Sequence, residues 1–413
     1  MRILSGSPAA RYVAELAGRS SRSSSIEPRV RRIVNDVRRN GDRALVRYAR
    51  RFDGILKSET LRVSPAEINL AWKSVDPHFK SSLQTAAANI GQFCEWQKPV
   101  EWTRTRKGAL VGQLVRPLDS VGCYVPAGRH PLVSTLLMTA IPAQVAGVKT
   151  IRVCSPQPRR ELLAAAAMLG ISEVYRVGGA HAIAALAYGT ESILPVEKIV
   201  GPGNSYVTTA KKLVSFDCSI DMLAGPTETV VYSERGQPHF IAADLVAQAE
   251  HDPEALAIFI TTRVQLAKAV AKSVEERTAG NQIAFESLRK SGAVLIGQSR
   301  HQAVEWLNQI APEHLTIDGP ELPLIRNAGS VFIGNYSPQP AGDYATGPNH
   351  VLPTGGAARF RGGLSVLDFV KIITVQKLSR PALREMSPVI TTLAEVEGLL
   401  AHADSIRVRC RNA

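Results

Sequence analysis

Residues 198–204 carry the sequence KIVGPGN, in which a short apolar run ends at a glycine turn. A similar turn follows residues 173–177, where Gly178 and Gly179 come after another strand-like run. Glycine at such a turn lets backbone N–H groups approach a phosphate, and a helix that begins there adds positive potential. Neither turn is the GxGxxG fingerprint, and a strand-to-helix turn also needs glycine for steric reasons alone. The two turns therefore predict βα units, whether or not either one holds a phosphate.

Strand-like and helical stretches alternate on both sides of these turns. The strand-like runs fall at residues 151–154, 173–177, 198–200, 229–232, 256–261, 293–296 and 330–333. The helical patterns fall at residues 132–145, 160–169, 240–250, 264–276 and 303–310. Such alternation is typical of βαβ units with a mostly parallel sheet. We therefore predict an α/β fold built from two Rossmann-like α/β domains with mostly parallel sheets.

The two ends of the chain lack this alternation and have a helical pattern. Apolar residues between Val30 and Val37 recur at helical spacing, and Gly41 follows them as the expected stop signal. We expect an N-terminal helical segment over most of residues 1–120, and a C-terminal helical tail over residues 363–413. The N-terminal segment shows no cluster of side chains that would indicate chemistry.

The composition is that of a globular protein with a strong basic excess. Of the 413 residues, 45% are hydrophobic and 21% are charged, and the formal net charge is +13. Many of the arginines lie between Arg29 and Arg51, where we interpret them as the solvated face of a helix. Because no aromatic stacking pattern or zinc-finger spacing accompanies them, the composition argues against nucleic acid as a partner.

Cysteine usage and hydropathy indicate a cytoplasmic protein. The five cysteines are widely spaced and form no CxxC, which favours reduced thiols over a disulfide framework or a cysteine metal site. Reduced thiols fit the cytoplasm. The N-terminus lacks the apolar core of a signal peptide, and no apolar run approaches the ~20 residues that span a bilayer. We therefore expect no membrane partner.

Two segments carry side chains that suit a metal ion. Gln248 and His251 are three residues apart and share one face of a helix that Pro253 ends, so that an oxygen and a nitrogen donor lie side by side. A loop rich in glycine and proline carries Asp343, a hard oxygen donor, and His350. Each segment alone is also compatible with a purely structural role, because aspartate is a common turn residue.

Two further pairs are candidates for proton transfer or binding. Glu313 and His314 are adjacent groups with different natural pKa values, which suits paired acid–base work near neutral pH. The alternative is a pair of exposed polar residues after a helix. Glu397 and His402 lie five residues apart in the C-terminal tail, where a histidine ordinarily has no chemical role.

Read together, these segments resemble the histidinol dehydrogenase family over almost the whole chain. The matching runs are IVGPGN at 199–204, IDMLAGPTE at 220–228, the helix at 244–252, APEHL at 311–315, GPNHVLPT at 347–354 and EGLLAH at 397–402. Several specific runs in the same order are hard to reach by chance. The resemblance implies a zinc- and NAD-dependent enzyme that oxidises L-histidinol through L-histidinaldehyde to L-histidine, the last steps of histidine biosynthesis.

The resemblance also implies a site shared between two subunits. One Zn²⁺ per subunit would be held by Gln248, His251, Asp343 and His402, and His402 would come from the partner of an intertwined homodimer. The small-molecule substrate would contact these ligands. Its other contacts would be Ser134, Thr227, His314, His350 and Glu397, of which Glu397 would also cross the interface.

The same resemblance assigns the proton transfers and the cofactor contacts. His314 would take the hydroxyl proton in the first oxidation, and Glu313 would activate water in the second. NAD would contact Tyr124, His181 and Asn204 on a partial Rossmann-like unit, which agrees with the missing GxGxxG.

Three residues depart from the family pattern. They are His181 in place of glutamine, Ala127 in place of glycine and Thr227 in place of serine. The expected domains are a large α/β domain of residues 1–122 and 227–362, an NAD-binding domain of residues 123–226, and a tail of residues 363–413 that reaches the partner subunit.

Two alternative functions stay open at the level of the sequence. Relatives on the same scaffold oxidise other polar primary alcohols, such as sulfonated diols, with the same zinc and NAD. The APEHL run together with Asp343 and Glu397 favours histidinol over these substrates. A non-catalytic, basic nucleic-acid-binding relative is the other alternative, and the full set of candidate ligands argues against it.

Overall fold

The structure is a computed structural model that describes residues 1–19, 25–56, 60–127 and 132–411. Its strands are β1 (Arg2–Ser5), β2 (Trp102–Arg106), β3 (Ala109–Pro117), β4 (Ser120–Tyr124), β5 (Thr150–Cys154), β6 (Glu173–Tyr175), β7 (Lys198–Val200), β8 (Ser219–Ile220), β9 (Glu228–Tyr232), β10 (Leu256–Thr261), β11 (Ala293–Ile296), β12 (His314–Ile317), β13 (Ser330–Ile333) and β14 (Val370–Leu378). Its helices are α1 (Gly6–Ala17), α2 (Glu27–Tyr48), α3 (Pro65–Ser74), α4 (Pro77–Gln97), α5 (Val133–Ala146), α6 (Arg160–Met168), α7 (Gly179–Tyr188), α8 (Ser205–Val214), α9 (Pro238–Ala249), α10 (Val264–Arg277), α11 (Gln282–Lys290), α12 (Arg300–Ile310), α13 (Gln339–Tyr344), α14 (Arg380–Val396) and α15 (Leu400–Arg411).

The chain divides into two units, which are described separately. The first unit comprises Met1–Gln97 and Leu118–Asp368, and the second comprises Lys98–Pro117 and Phe369–Ala413. The first unit contains two parallel sheets and the second contains one antiparallel sheet. The predicted α/β fold with mostly parallel sheets is therefore confirmed. No helix of the described residues is long and apolar enough to cross a membrane.

The larger sheet of the first unit has six parallel strands in the order β1-β11-β10-β9-β12-β13. Every residue of β9 and β10 is buried, because helices cover both faces of the sheet. Apolar side chains of α1 and α12 pack on one face, and those of α9, α10 and α11 pack on the other. This burial explains why the strands form continuous apolar runs rather than an alternating pattern.

The smaller sheet of the first unit has five parallel strands in the order β6-β5-β4-β7-β8. The chain passes from β4 outward through β5 and β6, then returns to the other side of β4 as β7. Helices α2, α7 and α8 bury their apolar side chains in one core beside this sheet. In open parallel sheets, a crevice forms outside the carboxyl ends of the two strands between which the strand order reverses. In this sheet those two strands are β4 and β7.

The connection from the smaller sheet to the larger one brings opposite strand ends together. Strand β8 ends at Ile220 and β9 begins at Glu228, so residues 221–227 run from a carboxyl edge to an amino edge. Strands β9 and β12 are parallel neighbours, with His314 opposite Thr229. The residues that precede these two strands, Thr227 and Glu313, therefore meet at the amino edge of the larger sheet.

Both ends of the chain are mainly helical, as expected, but each also contains strands. Residues 102–117 form the hairpin β2–β3, which turns at Lys107 and Gly108, both with positive φ, and residues 370–378 add β14 antiparallel to β3. Residues 2–5 also form a strand, β1, rather than a helix. The hairpin and β14 are far apart in sequence, so no local βα alternation predicts their pairing. Residues 98–117, expected within the large domain, thus pair with the C-terminal segment.

Candidate active site

Two neighbouring cavities of the first unit collect most of the polar residues that the sequence analysis singles out. The acid–base cavity has a volume of about 220 Å³, and its lining includes Ser134, Thr227, Gln248, His251, Glu313, His314, Asp343 and His350. The small-sheet cavity has a volume of about 650 Å³, and its lining includes Tyr124, His181 and Asn204. Leu132 lines both cavities.

Glu313 is a buried carboxyl group at the entrance to β12. Its Oε2 accepts a hydrogen bond from Thr227 Oγ1 at 2.8 Å and another from the Glu228 backbone N–H at 2.9 Å. Burial raises the pKa of Glu313 to about 7, although His314 and the two hydrogen bonds lower it. A carboxyl group with this pKa exchanges its proton near neutral pH. The alternative of an exposed polar pair is therefore wrong.

His314 lies between two carboxylates. Its Nε2 is 3.3 Å from Asp343 Oδ1, and its Nδ1 is 3.7 Å from Glu313 Oε2. Nδ1 is buried and has no hydrogen-bond partner among the described residues. Burial alone would lower the pKa of His314, but Glu313 and Asp343 outweigh it and raise the pKa above its ordinary value. The two carboxyl groups would thus stabilise an imidazolium formed at this position.

Three of the four residues expected to bind a metal meet in the acid–base cavity. Gln248 is the buried last-turn residue of α9, and its Nε2 lies 3.4 Å from Asp343 Oδ2. His251 follows α9 and lines the same cavity. Burial opposes ionisation of Asp343, but the imidazoles of His314, His350 and His251 outweigh it and lower the pKa of this carboxyl. The ionised Asp343, with an imidazole and a side-chain amide in the same cavity, offers donor groups that suit a divalent cation.

The fourth expected ligand lies in the second unit. His402 is exposed on α15, and Glu397 is exposed at the C-terminal end of α14. Within residues 1–19, 25–56, 60–127 and 132–411, no group of three His, Cys, Asp or Glu side chains is gathered closely enough to hold a metal ion. The described donors of the acid–base cavity therefore do not by themselves form a metal site of that kind.

The remaining residues expected to contact substrate also line the acid–base cavity. His350 donates from Nδ1 to the backbone oxygen of Asp343 at 2.8 Å, and burial lowers the pKa of its imidazole. Ser134 belongs to the first turn of α5. Thr227 Oγ1 lies 3.3 Å from Gln248 Oε1, so this hydroxyl connects the candidate ligand to Glu313.

The small-sheet cavity lies at the carboxyl ends of its strands. Tyr124 ends β4, and its hydroxyl accepts a hydrogen bond from the Gly179 N–H at 3.1 Å. Asn204 caps α8, and its side chain accepts from the backbone N–H groups of Tyr206 and Val207. Helices α7 and α8 thus begin beside the cavity with their positive ends, as the glycine turns predict.

Asp53 is a residue of this cavity that the sequence analysis misses. Its buried carboxylate accepts from the Gly178 N–H at 2.9 Å and lies 2.7 Å from His181 Nε2. It therefore joins the π-helical turn Ala49–Asp53 to the glycine turn before α7. The sequence shows only that Asp53 precedes Gly54 at the end of an arginine-rich helical segment. This pattern does not distinguish a buried aspartate from one in a solvated turn.

A second missed feature supports the turn after β7. Lys211 and Asp221 form a buried ion pair, and Lys211 Nζ also donates to the Gly201 oxygen at 2.9 Å. Asp221 Oδ2 accepts from the Gly201 N–H at 2.7 Å. Gly201 has a φ of +114°, and a Cβ at this position would clash with the backbone oxygen of Tyr124. The position therefore requires glycine.

Comparisons with known proteins agree with this fold. The family model of histidinol dehydrogenase matches residues 17–410. The histidinol dehydrogenase of Methanothermobacter thermautotrophicus is 48% identical over 395 residues, which cover 92% of each chain. That of Bacillus thuringiensis is 46% identical over 399 residues, or 93% of this chain and 92% of the relative. A crystal structure of histidinol dehydrogenase from Elizabethkingia anophelis aligns with a TM-score of 0.94 at 36% identity, covering 99% of this chain and 98% of that one.

The fold is an α/β fold with two parallel sheets, the pair Glu313 and His314 is buried beside a cavity at the start of β12, and the named relatives are oxidoreductases, so the class is that of an α/β oxidoreductase. The chain belongs to the histidinol dehydrogenase family, the oxidoreductases of histidine biosynthesis.

Proposed function

We propose that this protein is an NAD- and zinc-dependent dehydrogenase that oxidises L-histidinol through L-histidinaldehyde to L-histidine. The observation that carries the proposal is the buried pair Glu313 and His314 in one cavity with Gln248, His251 and Asp343. Oxidation of an alcohol needs a base for the hydroxyl proton, and oxidation of the aldehyde needs a base for water. The cavity holds one side chain suited to each task.

His314 takes the hydroxyl proton in the first oxidation. Because a carboxylate only accepts hydrogen bonds, the ring nitrogen that faces Asp343, Nε2, carries a proton. Nδ1 is then the nitrogen with a free lone pair, and it is buried without a partner among the described residues. Glu313 and Asp343 raise the pKa of His314, which stabilises the imidazolium formed by this transfer.

Glu313 serves the second oxidation, in which water adds to the aldehyde carbon and gives a hydrate. The two hydrogen bonds from Thr227 and Glu228 both fall on Oε2, which leaves Oε1 to accept a proton from water. With a pKa of about 7, Glu313 is a stronger base than an ordinary carboxylate and is still largely ionised at slightly alkaline pH.

The residues present fit both groups that the family implies. When bound, Zn²⁺ would polarise the substrate hydroxyl and orient the substrate, and NAD would accept the hydride at each oxidation. Gln248, His251 and Asp343 would hold the metal together with His402 of the partner subunit, on the proposal that the chain forms an intertwined dimer. Tyr124, His181 and Asn204 would contact NAD in the small-sheet cavity, where two helices begin.

The second unit supports the proposal that a second copy completes the site. Among the described residues of helices α14 and α15, the buried apolar side chains are three alanines. None of the larger apolar side chains of these two helices is buried, and Val389, Leu393, Val396 and Leu400 are exposed. An apolar surface of this kind is unusual on a monomer and marks a protein interface.

The decisive experiment follows product and metal together. L-Histidinol and NAD are incubated with the purified protein, NADH and histidine are measured, and the protein is analysed for zinc before and after a chelator. We expect two NADH per histidine and loss of turnover when the metal is removed, with recovery on adding Zn²⁺. Turnover of a dihydroxypropane sulfonate in preference to histidinol would contradict the substrate, and full turnover by the metal-free protein would contradict the metal.

A further inference from the structure

The small-sheet cavity carries positive charge that its acidic residue does not balance. Among its described lining residues, Arg29 and Arg159 are the arginines and Asp53 is the acid. The Asp53 carboxylate already accepts from the Gly178 N–H and pairs with His181. Two guanidinium groups therefore remain to face an anionic ligand.

The position of Arg159 in the fold gives this charge a specific meaning. Strand β5 is the neighbour of β4 on the side away from β7, so it corresponds to the second strand of a doubly wound sheet. In such sheets the residue that reads the adenosine ribose stands near the end of the second strand. An acid there binds the 2′-hydroxyl, whereas an arginine accommodates a 2′-phosphate.

The segment after β5 carries an arginine rather than an acid. Residues 155–159 carry the sequence SPQPR, which contains no acid and ends in Arg159 just before α6. Ser155, Pro156, Gln157 and Arg159 all line the cavity. An acid at this position would repel a 2′-phosphate, whereas the Arg159 guanidinium would attract it.

Both arginines are available for a phosphate. Arg159 is exposed, and no carboxylate of the described residues forms an ion pair with it. Arg29 donates to the neutral Tyr206 hydroxyl at 3.1 Å, which holds it at the cavity wall without neutralising its charge. The next residue, Arg160, pairs instead with Glu161 at 3.4 Å and is not among the lining residues.

We propose that Arg159, assisted by Arg29, determines cofactor specificity and lets this cavity bind adenine dinucleotides that carry a 2′-phosphate as well as those that do not. The inference rests on the proposed function, since that function assigns the small-sheet cavity to a dinucleotide. It predicts an affinity for NADPH that is comparable with the affinity for NADH.

The test measures binding without substrate and without turnover. The dissociation constants of NADH and NADPH are obtained from nicotinamide fluorescence, and those of 5′-AMP and adenosine 2′,5′-bisphosphate from calorimetry. Arg159→Glu is expected to weaken the two 2′-phosphorylated ligands by roughly tenfold or more, as for a charge-assisted hydrogen bond. The same variant should change binding of NADH and 5′-AMP by no more than about twofold.

Arg160→Glu is the matched control, because it introduces the same charge one residue away from the cavity. Arg159→Gln removes the cation without adding an acid and should give an intermediate loss for the 2′-phosphorylated ligands. Thermal melts of all variants check that they fold.

Each outcome decides the matter. Equal effects of Arg159→Glu and Arg160→Glu, or a wild type that binds NADH and oxidises histidinol but does not bind NADPH, would overturn this inference and leave the proposed function intact. Failure of NADH itself to bind would overturn both the inference and the proposed cofactor.

Discussion

Glu313 and Asp343 are two carboxyl groups of one cavity whose pKa values are moved in opposite directions. Burial dominates at Glu313 and raises its pKa to about 7. Asp343 is also buried, but the imidazoles around it lower its pKa. Environments that separate two carboxyl groups in this way assign them different tasks, with one able to exchange a proton and the other kept ionised.

Replacement of His314 tests the first proton transfer. In His314→Asn the polar contact to Asp343 can persist, but the ring nitrogen that accepts the hydroxyl proton is lost. We expect kcat for histidinol oxidation to fall by about 10²- to 10⁴-fold, the usual contribution of a general base. Metal content and NADH affinity should stay near wild-type values. Stopped-flow measurement of the first NADH checks this, and an unchanged first turnover would rule out His314 as the base.

Replacement of Glu313 separates the two oxidations. Glu313→Gln keeps acceptors for Thr227 and Glu228 but cannot take a proton from water, so aldehyde oxidation should slow far more than alcohol oxidation. In the wild type, the rate from L-histidinaldehyde should rise as pH increases through about 7, because the carboxylate is the active form. The variant should lose this rise. Equal losses in the two steps would contradict the assignment.

The same substitution makes a prediction for stability. Below pH 4.5 Glu313 is protonated in both the folded and the unfolded protein, so burial of its carboxyl costs no ionisation energy. As pH rises toward 7 the unfolded chain ionises first, and the free energy of unfolding of the wild type falls by ~3 kcal/mol. Glu313→Gln escapes this loss, so its stability relative to wild type should increase between about pH 4.5 and 7 and level off above that in urea unfolding experiments. A difference that does not vary with pH would contradict the raised pKa.

Residue types alone indicated Glu313, His314, Gln248, His251 and Asp343 as candidates, because their chemistry is visible in the sequence. The same inspection gave no reason to single out Asp53. Its significance arises from burial and from a contact with His181 across 128 positions of the chain. Long-range contacts of this kind have no local sequence signal.

At the level of elements, the turn from β7 into α8 depends on the buried pair of Lys211 and Asp221. Asp221→Asn leaves a buried ammonium without its counterion and should lower the free energy of unfolding by ~3–5 kcal/mol. Asp217→Asn, at an exposed carboxylate between α8 and β8, is the control and should change stability by less than ~1 kcal/mol. Chemical denaturation of both variants checks the difference, and similar effects would show that the pair is dispensable.

Most of the parallel strands were predictable because they are short, apolar and largely buried runs between helices, as β10 illustrates. Strand β1 was not, since its residues are mostly exposed. The hairpin β2–β3 was not, since every residue of β2 is exposed and its strand pattern is obscured by charged side chains. Strand β14 pairs with β3 across some 250 residues, so only the folded chain reveals its partner. Lys107-Gly108 was the one local signal for the hairpin.

At the level of the whole molecule, a site completed by a second copy can be reconstituted from two defective chains. His251→Ala and His402→Ala should each lack zinc and nearly all activity as homodimers. Equal amounts unfolded and refolded together should recover about a quarter of the wild-type activity, because half of the random dimers carry one intact site. Mixing without refolding and refolding each variant alone are the controls. No recovery in the mixture would place His251 and His402 in the same chain's site, or outside it.

Leu132 lines the small-sheet cavity, the acid–base cavity and a third cavity beside Phe79 and Pro253. The Leu132 side chain thus forms part of the wall shared by the acid–base cavity, proposed for the alcohol, and the small-sheet cavity, proposed for NAD. An aldehyde formed on one side of this shared wall would stay next to the cofactor on the other side, so the second oxidation could follow without release of the aldehyde. Soluble carbonyl scavengers such as hydrazines should therefore compete poorly for it, and the enzyme would release almost none of its half-oxidised product.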